Sequence, residues 1–179
     1  MLIIEDGMMP EGANTFATVE EADAYFAARN DSGWPVPFSD LDADPNTPAK
    51  EAALIRAADY LNTLQWNGEK VDFDWPLCWP RRGCTVGNAS VPEDIVPRLV
   101  RTACLELARE FFGGTDILAP QEHGNRVQSE TVGPISTTYF DDASAETYFP
   151  AVAGLLSQYL RVIPGKGGNT FTTRKVITG

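Results

Sequence analysis

The residues with the clearest capacity for binding chemistry are two tryptophans and two adjacent arginines, Trp75, Trp79, Arg81 and Arg82. Indole rings beside guanidinium groups stack bases and contact phosphates in single-stranded nucleic-acid sites. Tryptophan and arginine are also enriched at protein interfaces. The alternative to base stacking is therefore that the tryptophans fill the core, while the arginines pair with acids of the same or a neighbouring subunit and draw the segment into an interface. The acidic surroundings favour the core or interface interpretation over base stacking.

No other group of residues has the spacing that catalysis or metal binding needs. His123 is the single histidine, whereas zinc sites need about four ligands at short recurring spacings. Cys78 and Cys84 are six residues apart, so they form no Cys-x-x-Cys pair. The remaining patterns, none of them distinctive, are the glycines at 113–114 and 165–168 and the acid pairs Asp72 with Asp74 and Asp141 with Asp142. The sequence therefore predicts a protein with no enzymatic activity, no cofactor and no metal.

The formal net charge of −11 is unevenly distributed along the chain. Residues 1–80 contain 15 acids and 4 bases, whereas residues 81–179 contain 10 of each. No acid follows Gln158, while the bases Arg161, Lys166, Arg174 and Lys175 do. Nucleic-acid binders draw much of their affinity from Lys and Arg side chains that displace counterions. The acidic balance therefore argues against a nucleic-acid contact over the whole surface, and any such contact would be local.

The 179-residue length and the 43% apolar content are typical of one globular domain with a tail. We expect a domain over residues 1–163 and a flexible carboxy-terminal segment over residues 164–179. The amino terminus lacks a signal-peptide pattern, and no apolar run approaches the roughly 20 residues that cross a bilayer. These features predict a cytoplasmic protein that does not enter a membrane and whose three cysteines stay reduced.

Periodic apolar residues and capping signals predict a mainly α fold, a compact bundle of about four helices. Thr18 and Glu21 have the spacing of a reciprocal cap at the start of the first helix, and Thr47 can cap the second. The predicted helices cover residues 18–29, 48–65, 92–112 and 149–162. We expect an exposed loop over residues 30–48 and an ordered loop, held by aromatic side chains, over residues 66–97.

Two arms rich in β-branched residues predict a protruding hairpin over residues 127–140. Both faces of the arms are polar, and an isolated hairpin is only marginally stable in water. We therefore expect this hairpin to pack against another surface, such as a second chain. The hairpin tip supplies the interface candidates Val132, Gly133, Pro134 and Ile135. The tail supplies Phe171, Arg174 and Lys175, in a segment that can become a strand when a partner edge is available.

Several motifs, in this order and spacing, resemble a family of tailed-bacteriophage proteins encoded among head and neck genes. The resemblance covers about residues 3–160 and includes residues 12–16, 19–29 and 50–61. Its other motifs are Ile4-Glu5-Asp6-Gly7, Trp79-Pro80-Arg81-Arg82-Gly83, Val91-Pro92, Ile95-Val96-Pro97 and Ser129-Glu130-Thr131-Val132-Gly133-Pro134-Ile135. Members are often labelled DnaT-like single-stranded-DNA-binding proteins, and they are also similar to the head-tail connector, or adaptor, proteins of these phages.

The resemblance implies a structural subunit in a ring of about a dozen copies beneath the portal, which extends the DNA channel toward the tail. It implies no catalytic residue. The expected partners are further copies of the chain, the portal protein, a downstream neck or tail-completion protein, and DNA that passes without sequence-specific binding. The expected location is the neck of the virion, assembled in the cytoplasm of the bacterial host. The alternative is a single-stranded-DNA-binding module that uses Trp75, Trp79, Arg81 and Arg82.

Overall fold

A computed structural model describes residues 1–36, 44–115, 127–131, 136–139 and 149–161. It confirms a mainly α fold with four helices, joined by three short antiparallel hairpins. The elements in chain order are α1 (Val19–Ala27), α2 (Thr47–Thr63), β1 (Glu69–Lys70), β2 (Arg81–Arg82), β3 (Thr85–Val86), β4 (Ala89–Ser90), α3 (Arg98–Phe112), β5 (Val127–Thr131), β6 (Ser136–Tyr139) and α4 (Pro150–Leu156).

Helix α1 begins with the reciprocal cap that the sequence predicts. The Glu21 amide donates to Thr18 Oγ1 at 3.1 Å, and the Thr18 amide donates to Glu21 Oε2 at 3.0 Å. Two amides that lack helical partners are thereby satisfied. The buried side of the helix holds Val19, Ala22 and Phe26, which are all members of the predicted apolar stripe.

The core lies between α2 and α3, and α4 also packs against α3. Helix α2 contributes Leu54, Ala58 and Leu61, and α3 contributes Val100 and Leu107, all fully buried. Burying one such leucine stabilises the fold by roughly 1.5–3 kcal/mol relative to leaving it in water. The wide apolar face of α3 predicts a central core helix, and α3 indeed packs against both α2 and α4.

Two predicted helix boundaries are wrong. Helix α3 starts at Arg98 and not at residue 92, because Pro97 has an extended ψ of 142° and disfavours helical geometry at Val96 before it. Helix α4 ends at Leu156 and not at residue 162. The chain leaves the helix there because Leu160 forms an antiparallel bridge with Trp66, a long-range pairing that local periodicity does not reveal.

The two predicted loops also differ in detail from the structure. Asn46, and not Thr47, is the cap residue of α2, and its side chain makes no capping hydrogen bond. Trp34, within the loop expected to be exposed, is 1% exposed and belongs to the core. The region 66–97 contains the small β1–β2 and β3–β4 hairpins, which are too short to give a recognisable alternating pattern.

The hairpin predicted at residues 127–140 is present as β5 and β6. The two strands are antiparallel, with Val127 opposite Tyr139 and Thr131 opposite Ser136, and their register shifts between Val127 and Ser129. The tip and the predicted flexible tail lie outside the described residues. No helix among the described residues is long and apolar enough to span a bilayer.

Candidate interaction site in the tryptophan loop

We call residues 66–82 the tryptophan loop, and backbone contacts fix both of its ends to the helical body. At its start, the Asn67 amide donates to the Tyr159 carbonyl at 2.8 Å, and Trp66 pairs with Leu160. At its end, β2 returns to pair with β1. In the middle, the Asn62 side chain on α2 accepts from the Cys78 amide at 2.7 Å. The loop is therefore a fixed part of the surface beside α2 and α4.

Trp79 fills the interior of this loop and reaches no solvent. Its side chain is 0% exposed. Its ring lies 5.7 Å from the Trp66 ring and 5.8 Å from the Tyr159 ring, each centroid to centroid and nearly perpendicular. Edge-to-face packing of this kind is favoured by the aromatic quadrupole. The structure therefore places Trp79 in the core, where it cannot stack on a base or contact a partner surface.

The two arginines point to backbone carbonyls and not to acids. Arg81 is 9% exposed, and its guanidinium donates at 2.8, 2.7 and 3.1 Å to the carbonyls of Asn67, Gly68 and Cys78. Burial lowers the pKa of this guanidinium. Arg82 is exposed and donates to the Val71 carbonyl. Arg81 therefore holds the two ends of the loop together, and neither arginine pairs with an acid among the described residues, which corrects the prediction for acids of the same subunit.

Trp75 is half-buried and packs against the rim of the core, near a buried carboxylate. Glu5 is 0% exposed, and its Oε1 accepts from the amides of Gly7 at 2.7 Å and Met9 at 3.2 Å. Burial raises the pKa of Glu5, and these amides oppose that rise. Glu5 therefore organises the amino-terminal turn, a role that its place in the sequence did not indicate.

The aromatic side chain that the tryptophan loop does expose is Phe73, which no sequence pattern singled out. It is 92% exposed and is the one aromatic among the exposed large apolar side chains of the described residues. Exposed Asp72 and Asp74 flank it. The signal that could have identified it is an aromatic residue between two acids, a setting that does not suit a buried side chain.

A second charged cluster, also missed at the sequence level, is formed by Asp23 of α1, Asp44 before α2 and Lys50 of α2. Lys50 is 0% exposed, and its Nζ lies 2.7 Å from Asp23 Oδ1 and 2.6 Å from Asp44 Oδ2. The Trp34 indole N–H donates to the same Asp23 oxygen at 2.6 Å. The contact with Lys50, with a smaller contribution from the Asn46 amide, lowers the pKa of Asp44. The cluster joins three separate parts of the chain, and its role is structural.

The described residues include no arrangement typical of a metal or thiol site. No group of three or more potential ligands could hold a metal ion among them. Cys78, Cys84 and Cys104 are all free and buried. Burial raises the pKa of each thiol, that of Cys104 to about 11, so these thiols are poor nucleophiles at neutral pH.

The other predicted interface candidates fall outside the described residues. They are the hairpin-tip residues Val132, Gly133, Pro134 and Ile135 and the tail residues Phe171, Arg174 and Lys175. His123 and the pair Asp141 and Asp142 fall outside them too. Trp75, Trp79, Arg81 and Arg82 thus lie in one loop but in different settings. Trp79 is in the core, Arg81 binds backbone carbonyls, Arg82 is on the surface and Trp75 is half-buried.

Comparison with known proteins gives one family match. A family model described as "Putative DnaT-like ssDNA binding protein" matches residues 1–177. No curated protein and no solved structure matches the chain.

Proposed function

The chain belongs to the family described as DnaT-like ssDNA-binding proteins, and on that premise we propose that it is a non-enzymatic structural subunit of a phage head-tail connector. The inward placement of Trp79 and Arg81 is the observation that supports this role best. Two of the four residues with the right chemistry to bind single strands, Trp79 and Arg81, stabilise the fold instead. A rigid helical body of this kind suits assembly with other proteins.

The charges on the described surface also support an assembly role. Most described basic side chains already contact a carboxylate, a carbonyl or an aromatic ring: Arg29, Lys50, Arg56, Lys70, Arg81, Arg82, Arg101 and Arg109. The chain as a whole has an excess of acids, with a net charge of −11. An acidic channel wall repels phosphates, so it would let DNA slide through a ring without binding it.

In the proposed role, identical copies repeat around a closed ring through one head-to-tail contact. The β5–β6 hairpin and the carboxy-terminal segment supply the contacts with neighbours, the portal and a downstream neck or tail-completion protein. The protein would therefore be part of the virion neck after assembly in the host cytoplasm. The acidic first half and the more basic second half would favour contact between unlike surfaces.

Docking to the portal protein of the same virion tests this role. We expect the full chain to co-sediment with assembled portal and to appear as a ring beneath it by electron microscopy. Deletion of residues 165–179 should leave the helical body folded, because these residues lie beyond α4, but should abolish docking. Circular dichroism of the deletion variant serves as the folding control. Unchanged docking of that variant would remove the tail from the mechanism, and no docking of the full chain would refute the connector role.

Single-strand binding is the second candidate function, and the description of the family favours it. Within the described residues, exposed Arg82 and half-buried Trp75 are the two of the four candidates that could serve it. Exposed Asp72 and Asp74 lie in the same loop and oppose a phosphate contact. The candidate therefore depends on a local contact and not on an extended basic groove.

Titration of a labelled oligothymidine of about 30 nucleotides, longer than typical single-strand site sizes, separates the two candidates. For a connector subunit we expect no binding even at low salt. A real phosphate contact would give an affinity that falls steeply with salt concentration. Arg82→Ala would then weaken binding, whereas Arg29→Ala, at an exposed arginine just after α1, would not. That combination of results would replace the connector proposal with single-strand binding.

A further inference from the structure

We propose that the Asp72-Phe73-Asp74 tip of the tryptophan loop is a docking surface for the carboxy-terminal segment of the same chain, residues 171–177. This inference is independent of the connector role. It concerns what the exposed aromatic side chain binds in the isolated protein. Four observations support it: the exposure of Phe73, the fixed geometry of the tip, the charges on the two segments, and the place where the chain leaves α4.

The tip is held in one conformation by its own hydrogen bonds. The Asp74 amide donates to Asp72 Oδ1 at 2.9 Å, and the Trp75 amide donates to the Asp72 carbonyl at 3.3 Å. Lys70 Nζ donates to the Trp75 carbonyl at 2.6 Å, and the Val71 amide donates to the Pro80 carbonyl at 3.4 Å. A preorganised surface loses little conformational entropy on binding. Phe73 is therefore exposed on a fixed support.

The charge around Phe73 selects a basic partner. Asp72 and Asp74 are exposed on either side of Phe73 in sequence, and Glu69 of the same loop is exposed too. The cations of this loop, Lys70, Arg81 and Arg82, already donate to carbonyls within it. Phosphate groups would be repelled by such a rim, whereas Lys and Arg side chains would be attracted. The surface therefore suits a peptide that combines apolar and basic residues.

The carboxy-terminal segment has this composition. No acid follows Gln158, and Arg174 and Lys175 lie between apolar residues, Phe171 on one side and Val176 with Ile177 on the other. An extended strand of this kind can place apolar and basic side chains on Phe73 and on the flanking carboxylates together.

The segment starts close enough to reach the tip. The Arg161 amide donates to the Gln65 carbonyl at 2.8 Å, so the chain leaves the described body at the base of the tryptophan loop. Phe73 is eight residues from Gln65, a distance of at most about 29 Å along the chain. Phe171 is ten residues beyond Arg161 and can reach about 35 Å.

The covalent link between the helical body and residues 171–177 explains why the same chain is the expected occupant. A contact of one aromatic side chain and a few partly screened charges is weak between separate molecules. A short tether gives an effective concentration on the order of millimolar, which makes such a contact substantial within one chain. At micromolar protein concentration, a second copy cannot compete with the attached segment.

Limited trypsin digestion of the full chain tests the proposal, because Arg174 and Lys175 are cleavage sites inside the docked segment. Cleavage after Lys166, outside the docked segment, provides an internal reference on the same molecule. We expect Phe73→Ala to raise the initial rate of cleavage after Arg174 and Lys175, relative to Lys166, by about 2-fold, because an effective concentration close to the dissociation constant, both on the order of millimolar, keeps the segment docked about half of the time. Val36→Ala, which shortens another exposed apolar side chain, should leave the ratio unchanged.

A charge pair of variants tests the basic part of the contact. Asp72→Asn combined with Asp74→Asn retains the side-chain oxygen that closes the turn but removes two charges, so the cleavage ratio should rise. Glu11→Gln combined with Asp59→Asn removes the same charge from exposed positions elsewhere and should not change it. An equal ratio in wild type and Phe73→Ala would overturn the proposal. Protection that grows with protein concentration would assign the surface to a second copy, and loss of single-strand affinity in Phe73→Ala without a change in the ratio would assign it to nucleic acid.

Discussion

Replacing Lys50 with methionine is expected to lower the free energy of unfolding by about 3 kcal/mol, the lower end of the range for breaking a buried ion pair. The ammonium group has 0% exposure and lies within 2.7 Å of both Asp23 and Asp44. Methionine fills a similar volume, so the loss comes from two carboxylates left without a cation. The lower end applies because the Asp23 and Asp44 side chains keep 18% and 9% exposure and can recover some hydration.

Urea unfolding followed by tryptophan fluorescence measures this loss. Arg98→Met is the matched control, because Arg98 is exposed and makes no ion pair with the other described residues; its change should stay within about 0.5 kcal/mol. Adding Asp23→Asn and Asp44→Asn to Lys50→Met should restore part of the stability, since the unpaired charges are then gone. A Lys50→Met protein as stable as the Arg98→Met control would contradict the buried cluster.

The same cluster predicts a dependence on pH. The pKa of Asp44 is lowered, chiefly by Lys50, so its ionised form stabilises the folded state above the ordinary pKa of an aspartate, about 4. This contribution is lost as the pH falls through the lowered value, because a proton then binds the folded carboxylate. Wild type should therefore lose more stability than Asp44→Asn between about pH 5 and pH 2.

The sequence predicts those parts of the fold that depend on neighbouring residues. The Thr18 and Glu21 cap and the β5–β6 hairpin follow from spacings of a few residues, and both are present. The end of α4 depends on a pairing between Leu160 and Trp66, which are far apart in sequence. The Lys50 cluster depends on three segments meeting. Local sequence patterns contain no information on contacts between distant segments, so the end of α4 and the Lys50 cluster could not be predicted.

The candidate site shows the same division. Composition identifies the tryptophan loop as unusual, but it does not say which side of the loop each ring occupies. Trp79 turns inward because Trp66 and Tyr159 supply aromatic neighbours from distant segments. Phe73 turns outward, between two acids, although a phenylalanine is ordinarily among the more buried residues. The tryptophan that residue type suggests for binding is therefore buried, and the phenylalanine that residue type suggests for the core is exposed.

Trp79→Ala is expected to have an effect as large as that of Lys50→Met, about 3 kcal/mol. Truncating a fully buried tryptophan costs roughly 3–5 kcal/mol through lost burial and the cavity left behind. The lower end applies because Trp79 Nε1 is buried without a hydrogen-bond partner among the described residues, and removing such a group relieves about 1 kcal/mol. The loss would loosen the contact between the tryptophan loop and Tyr159.

Phe73→Ala is the matched comparison, since it truncates an aromatic side chain of the same loop that is 92% exposed. Its unfolding free energy should stay within about 0.5 kcal/mol of wild type. Urea unfolding by far-UV circular dichroism avoids the change in fluorescence that removal of a tryptophan causes. If Trp79 instead served single strands from the surface, Trp79→Ala would keep wild-type stability and lose oligothymidine affinity. A destabilised Trp79→Ala variant beside a stable Phe73→Ala protein would establish that the Trp79 ring holds the fold and that the Phe73 ring does not.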